Sequence, residues 1–345
     1  MIAASSMTGQ LQAARPRWQQ ALAEAITDPL KLCRILDLDP APLAVAQPAA
    51  RNFGLRVPRG FVDRMRRGDP RDPLLLQVLP LDAEDVPTQG YSLDPVGDLA
   101  SRAGTGILHK YQGRALLVAT GACAVHCRYC FRRHFPYSDN SLLASEWVSA
   151  VDAIRADSSI TEVILSGGDP LSLNDRRLTQ LTEALQSVPH VQRLRIHTRY
   201  PVVLPERVDE GLLAWLSGVR LQKVMVIHAN HANEIDAHVA EACRRLAASG
   251  ITLLNQSVLL ADINDSVPAL AELSEALMGC GVLPYYLHLL DRVQGAAHFD
   301  VDESKALRLH AELMTRLPGY LVPRLVREIP GAASKTPVTF AVQRY

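Results

Sequence analysis

From about residue 115 onward, short β-rich apolar runs alternate with segments that carry the spacing of amphipathic helices. The runs Ala115 to Thr120, Glu162 to Ser166, Arg193 to Thr198, Lys223 to His228, Ile251 to Leu259 and Val282 to Leu289 predict six strands. Between them, Trp147, Val151 and Ile154 share one helix face, as do Leu178, Leu181 and Leu185, and Leu270, Leu273 and Leu277. Asn174 and Asp209 suit helix N-caps, and Gly250 suits a stop after ACRRLAAS. Strand and helix in alternation predict βα units around a parallel sheet. Six such units predict an α/β fold, a partial (βα)6 TIM-like barrel, with its site at the carboxyl ends of the strands.

The earlier part of the chain breaks this rhythm. A helical start, Trp18 to Ile26, gives way to the Pro- and Arg-rich stretch VPRGFVDRMRRGDPRDP. Residues 1–110 therefore read as a helical and irregular region packed on the barrel, residues 111–290 as the barrel core, and residues 291–345 as a C-terminal segment. With 345 residues and 48% hydrophobic content there is material for a large core. The 36 basic and 36 acidic residues cancel, which argues against nucleic acid as a partner and for a small-molecule substrate. No run is long enough to cross a bilayer, and MIAASSMTGQLQAARPRW lacks a basic region followed by an apolar one, so the expectation is a cytoplasmic protein without a membrane partner. Six cysteines, three of them clustered, do not form a secreted disulfide framework. Cys33, Cys243 and Cys280 are scattered, and Cys243 continues the apolar spacing of Ile235 and Val239 as a core position.

The clustered cysteines, Cys123, Cys127 and Cys130, stand as C-x3-C-x2-C in TGACAVHCRYCFRRHF, directly after the first predicted barrel strand. Positions i, i+4 and i+7 also share a helix face, so three core cysteines are one reading; Gly121 and the arginines 128, 132 and 133 make a poor core face. A zinc site completed by His126 or His134 is a second reading. The third is an iron-sulfur cluster, normally held by four thiolates, in which three leave one iron open. Ser166-Gly167-Gly168-Asp169 follows the next strand, where paired glycines let backbone approach a ligand. Near the C-terminus, PGAASKTP surrounds Lys335 with small residues that leave its amine accessible.

The cysteine spacing resembles that of the radical S-adenosylmethionine (SAM) superfamily, in which the open iron of a 4Fe-4S cluster chelates SAM and an adenosyl radical is formed. In order, HKYQGRALLVATGACAVHCRYCFRRHF, ILSGGDPL, HTRYPVVLPERV, HANHANE, NQSVLLADIND, LDRVQGAAHF and PGAASKTPV resemble the lysine 2,3-aminomutase family across roughly residues 15 to 345. The resemblance is strongest to the branch that makes (R)-β-lysine for attachment to elongation factor P. It implies an isomerase that uses the cluster, SAM and pyridoxal 5'-phosphate (PLP), with functional links to elongation factor P and its lysyl-tRNA-synthetase-like ligase, and leaves a homo-oligomer open.

By position, the resemblance makes Cys123, Cys127 and Cys130 the cluster ligands and Lys335 the lysine that carries PLP. Arg114, and more weakly Lys110, would hold the PLP phosphate, while Gly167, Gly168, Asp169 and Gln256 would face SAM. Arg132 would pair with the substrate carboxylate, and Asp291 and Glu328 with its distal ammonium. Glu328 stands where the family's catabolic enzymes carry aspartate, and Ala332-Ala333-Ser334 replaces their glycine run. The catabolic members are longer beyond this lysine, which favours the translation-factor branch. The rival expectations are a catabolic or osmolyte-forming aminomutase and a non-catalytic cluster or zinc protein.

Overall fold

The computed structural model describes residues 16–45, 53–104, 106–139 and 147–340. The start of the run read above for a leader, and the chain end at Tyr345, lie outside them. Ten strands make one sheet whose spatial order is the chain order: β1 (Arg102–Gly104), β2 (Ile107–Tyr111), β3 (Arg114–Thr120), β4 (Glu162–Gly167), β5 (Arg193–Thr198), β6 (Gln222–Ile227), β7 (Thr252–Val258), β8 (Leu283–His288), β9 (Arg324–Arg327) and β10 (Thr336–Pro337). Strands β3 to β9 run parallel, whereas β1, β2 and β10 are antiparallel additions at the two edges.

The six strands expected from the apolar runs are β3 to β8, each within one residue of its expected bounds. A seventh parallel strand, β9, extends the set, contributed by the segment set apart as C-terminal. Helices follow the parallel strands in turn: α1 (Trp147–Ala156), α2 (Asp175–Gln186), α3 (Glu210–Gly218), α4 (Ala237–Ala248), α5 (Val267–Gly279) and α6 (Glu303–Arg316). Asn174 caps α2 by accepting from Arg177 N at 3.0 Å, and Asp209 caps α3 by accepting from Leu212 N at 2.9 Å. Gly250, two residues past α4, takes φ +77°, a left-handed turn that glycine adopts without strain.

Side chains alternate across the strands, as strand geometry demands. Ala115, Leu117, Val163, Leu165, Leu194, Ile196, Met225 and Leu253 share one core with the helix residues Ile154, Leu178, Leu185, Leu246 and Leu277. Their sequence alternates, among them Arg114, Glu162, Ser166, Arg195, His197 and Gln256, occupy the opposite, inner face and are mostly polar. The amino-terminal region does not stand apart: Trp18, Leu32, Phe61, Leu74 and Leu79 belong to the same core, and β1 and β2 join the sheet.

The sheet curls until its edges meet, but side chains rather than backbone make the join. Tyr111, ending β2, donates from its hydroxyl to Glu328, just after β9, at 2.5 Å. Lys110 Nζ approaches the same carboxylate at 3.7 Å. The backbone ladder itself ends at β1 and β10 among the described residues.

Candidate active site

The cysteine segment leaves β3 as a series of turns, not a helix, so the three thiols do not line a helix face. It is tied to the amino-terminal region by backbone bonds from His126 N to Arg56 O and from Arg128 N to Gln77 O, both 2.9 Å. Arg128 is fully buried and grips Glu84 through two bonds of 2.8 and 2.5 Å, and Arg133 reaches the same carboxylate at 2.6 Å. Removing one partner of a buried pair of this kind costs about 3–5 kcal/mol because the other charge is left uncompensated, so Glu84 and Arg128 each require the other in place.

Both histidines considered for zinc are otherwise engaged. His126 has Nδ1 2.6 Å from Gly54 O and stacks on Phe53, while His134 Nε2 lies 3.1 Å from Gln294 O. Among the described residues no group of three or more His, Cys, Asp or Glu side chains is arranged to hold a single metal ion. Burial, then Asp169 and the other two thiols, push the Cys123 thiol well up, and burial followed by Cys127 pushes Cys130 up to about 11. Thiols this costly to ionise alone would need a metal or cluster beside them to be held as thiolates.

The Ser166 to Asp169 turn is stitched to the cysteine loop. Gly168 N donates to Thr120 O at 2.7 Å and Asp169 N to Ala122 O at 2.8 Å, so these two donors are spent on the loop rather than left for a ligand. A Cβ on Gly168 would lie 2.6 Å from Ala122 O, and Gly167 has φ +121° with Thr120 O 2.5 Å from a Cβ position. The Asp169 carboxylate is also taken: it accepts from Leu171 N (3.0 Å), Thr198 Oγ1 (2.7 Å) and Arg199 N (2.7 Å). Burial pushes its carboxyl up to about 6 despite those bonds. Asp169 thus works by joining the loops after β3, β4 and β5. Gln256, on the inner face of β7, makes no side-chain bond among the described residues.

Deeper in the barrel, Lys335 Nζ donates to Glu328 at 2.8 Å and lies 5.9 Å from the Tyr286 ring centre. Burial acts on the Glu328 carboxyl against the stronger combined pull of Lys335, Tyr111 and Lys110, which holds it below the usual range. Lys110 Nζ pairs with Asp98 at 2.7 Å, and Arg132 Nε pairs with the other oxygen of Asp98 at 2.6 Å while Nη1 reaches Ser166 Oγ at 3.1 Å. Arg132 keeps Nη2 uncommitted, and the Arg114 guanidinium, lying over the Tyr111 ring, has no ion-pair partner among the described residues. Among the described residues Asp291 likewise has no side-chain partner. Its carboxyl is pushed up to about 7 by burial, against the opposing pull of Lys335.

Three histidines with buried Nε2 atoms line the interior, His288 as a buried residue and His197 and His228 half-buried. His197, His228 and His288 each present an Nε2 without a hydrogen-bond partner. Burial holds all three imidazoles neutral, with Lys335 adding to the effect on each and His228 falling to about 3. An unpaired buried polar atom costs about 1–3 kcal/mol, so this lining is complete only around a polar guest.

The expected site residues therefore divide in two: the cysteines with Gly167, Gly168 and Asp169 at the loop end, and Lys335, Glu328, Lys110, Arg132, Arg114 and Asp291 within. Sequence reasoning gave no role to Asp98, Tyr111, Glu84, Arg199 or the histidines. HTRYP and HANH carry two of the histidines and Arg199 and offered a signal, whereas Asp98 and Glu84 are known only through contacts with distant parts of the chain.

Comparison with known proteins adds the family context. The Radical SAM superfamily model matches residues 117–273. The L-lysine 2,3-aminomutase of Escherichia coli K12 is 48% identical over 331 residues, 96% of each chain. That of Haemophilus influenzae is 49% identical, covering 92% of this chain and 94% of its own, and that of Clostridium subterminale is 37% identical over 85% of this chain and 70% of its own.

Proposed function

This chain belongs to the lysine 2,3-aminomutase family of radical SAM isomerases, and from that premise we propose that it converts free L-lysine to (R)-β-lysine for attachment to elongation factor P, carrying PLP on Lys335. When bound, the 4Fe-4S cluster and SAM supply the electron and the carbon radical that start the reaction, and PLP supplies the π-system across which nitrogen migrates. Cys123, Cys127 and Cys130 would hold the cluster, and the loop ending in Asp169 would keep them in register while Gly167, Gly168 and Gln256 border SAM. Arg114, free of any ion-pair partner among the described residues, would receive the PLP phosphate; Lys110, the weaker candidate, is spent on Asp98 and Val96 O and reaches toward Glu328.

Substrate orientation follows from two opposite charges. Arg132, braced by Asp98 and Ser166, would meet the carboxylate of lysine through Nη2, the nitrogen without a partner among the described residues, in a single charge-assisted bond. At the other end, Asp291 offers an acid with no side-chain partner among the described residues, and Glu328 becomes available once Lys335 leaves it for the cofactor. A glutamate-like side chain would meet two carboxylates there, whereas an ammonium would neutralise them. The observation that carries this reading is the convergence of Lys335, Glu328, Lys110 and the Asp98–Arg132 pair in one contiguous charged network.

The test is anaerobic reconstitution with iron, sulfide and PLP, then addition of dithionite, SAM and L-lysine, with chiral analysis of product. (R)-β-Lysine is expected, and supplying it with the ligase should add one β-lysyl mass to elongation factor P in preference to α-lysine. Absence of β-lysine from protein that holds both iron and PLP would sink the mutase reading. Equal use of α-lysine on the translation factor would sink only its destination. Lys335→Ala should lose the pyridoxal imine absorbance and keep its iron; persistence of that absorbance would remove Lys335 from its role.

A further inference from the structure

Arg199 directly follows β5, in the HTRYP stretch, and is buried where the loops after β3, β5 and β6 meet. Its Nη1 lies 2.7 Å from Cys127 Sγ. On the other arm, Nη2 donates to Gln77 Oε1 at 2.5 Å and to Glu234 Oε2 at 2.9 Å, and Nε has no partner. The network is built around that placement. Gln77 Nε2 donates to Glu234 Oε1 at 3.2 Å, Asn230 Nδ2 donates to Gln77 Oε1 at 3.0 Å and to Tyr129 Oη at 2.6 Å, and Glu234 also accepts from Asn230 N at 2.7 Å. Phe61 and Tyr129 flank the guanidinium with ring centres 5.6 and 5.7 Å from its carbon. Five residues from distant parts of the chain are thus committed to holding one planar cation against one cysteine sulfur.

We propose that Arg199 is a positioning residue that acts through Cys127 to set the reduction potential of the bound cluster, favouring uptake of the electron that starts the reaction. The proposal rests on Cys127 being a cluster ligand. A 4Fe-4S cluster gains one electron from a low-potential donor, dithionite in the assay, and the added negative charge spreads onto its sulfurs. Hydrogen bonds to those sulfurs stabilise the reduced form and raise the potential. A charge-assisted bond in a water-poor pocket does so more strongly than a neutral one. Glu234 opposes this by neutralising part of the charge on Arg199, so the two residues pull the potential in opposite directions.

The experiment is an EPR-monitored redox titration of the reconstituted protein, with iron per chain measured alongside. Arg199→Gln should move the midpoint to more negative potential by a tenfold or greater fall in the reduced-to-oxidised ratio at fixed potential, which is 59 mV for one electron. Arg199→Lys, which keeps the charge but not the fork, should fall between it and the unaltered protein. Glu234→Gln should shift the midpoint the other way. An unmoved midpoint in iron-replete Arg199→Gln overturns the proposal. If that variant fails to retain iron, Arg199→Lys and Glu234→Gln decide, and shifts of the same sign in these two overturn it. Failure of the unaltered protein to bind iron would instead strike at the cluster reading itself.

Discussion

Asp291 and Glu328 face the same interior but differ in their partners. Glu328 accepts from Tyr111 and Lys335, whereas no side chain among the described residues donates to Asp291, whose carboxyl is pushed up to about 7. A carboxylate that is to bind an ammonium must be ionised, so the KM for lysine should rise as pH falls below about 7. In Asp291→Asn the KM should be higher throughout and lose that rise; an Asn variant with an unchanged pH profile would exclude Asp291 from ammonium binding. The same displacement has a sign for stability. The folded chain holds a proton on Asp291 that an unfolded chain, with an ordinary carboxyl near 3.9, has released, so folding takes up protons between those values. The contribution from this group is therefore fully present below about 4 and is lost as pH rises through about 7. Denaturant titrations of the ligand-free protein at pH 5.5 and 7.5 should show Asp291→Asn losing part of the decline seen in the unaltered chain. The residue types that carry this interior were legible in sequence because they sit in recognisable stretches. Their pairing was not: nothing in the chain text says that Lys335 would rest on Glu328, or that Asp98 would join Lys110 to Arg132 across 34 residues.

At the level of elements, the strand–turn unit after β4 does more than present a ligand surface. Its Gly168 packs so tightly that a methyl group would press on the Ala122 and Gly121 carbonyls at 2.6 and 2.7 Å. Gly168→Ala must push the cysteine loop outward, a strain typically worth 1–3 kcal/mol. Reconstituted Gly168→Ala should retain its far-UV circular dichroism and bind markedly less iron per chain than the unaltered protein; full iron content would show that the loops tolerate separation. The barrel strands were readable because their outer faces alternate with polar inner positions in runs of six or seven residues. Strand β9 escaped because only Leu325 and Val326 are apolar, bracketed by Arg324 and Arg327, and β10 because it has two residues, one of them proline. Both are recruited by neighbours already in place, a tertiary effect that local pattern does not record.

Across the described residues the amino-terminal region and the barrel share one core. Core residues from Trp18 to Val282 form one cluster, and the cysteine loop is anchored to Glu84 and Gln77 from the part of the chain that looked irregular. The alternating βα pattern made the barrel legible, while the anchors stayed hidden because their partners lie tens of residues away. Across the join of the barrel Tyr111 and Lys110 meet Glu328. Hydrogen bonds to charged groups contribute roughly 1.5–3 kcal/mol, so Tyr111→Phe should lower the unfolding free energy of the ligand-free protein by about that amount in urea titrations. An unchanged midpoint would mean that the two edges are held together by something else.

That join has a further consequence. Glu328 is at once the clasp between the two edges and the resting place of Lys335, so the vessel wall and the lysine that would take the cofactor share a single carboxylate. Glu328 thus answers to three donors at once, Tyr111 and Lys110 across the join and Lys335 beside it, so that a change at this one carboxylate would disturb the wall and the lysine together.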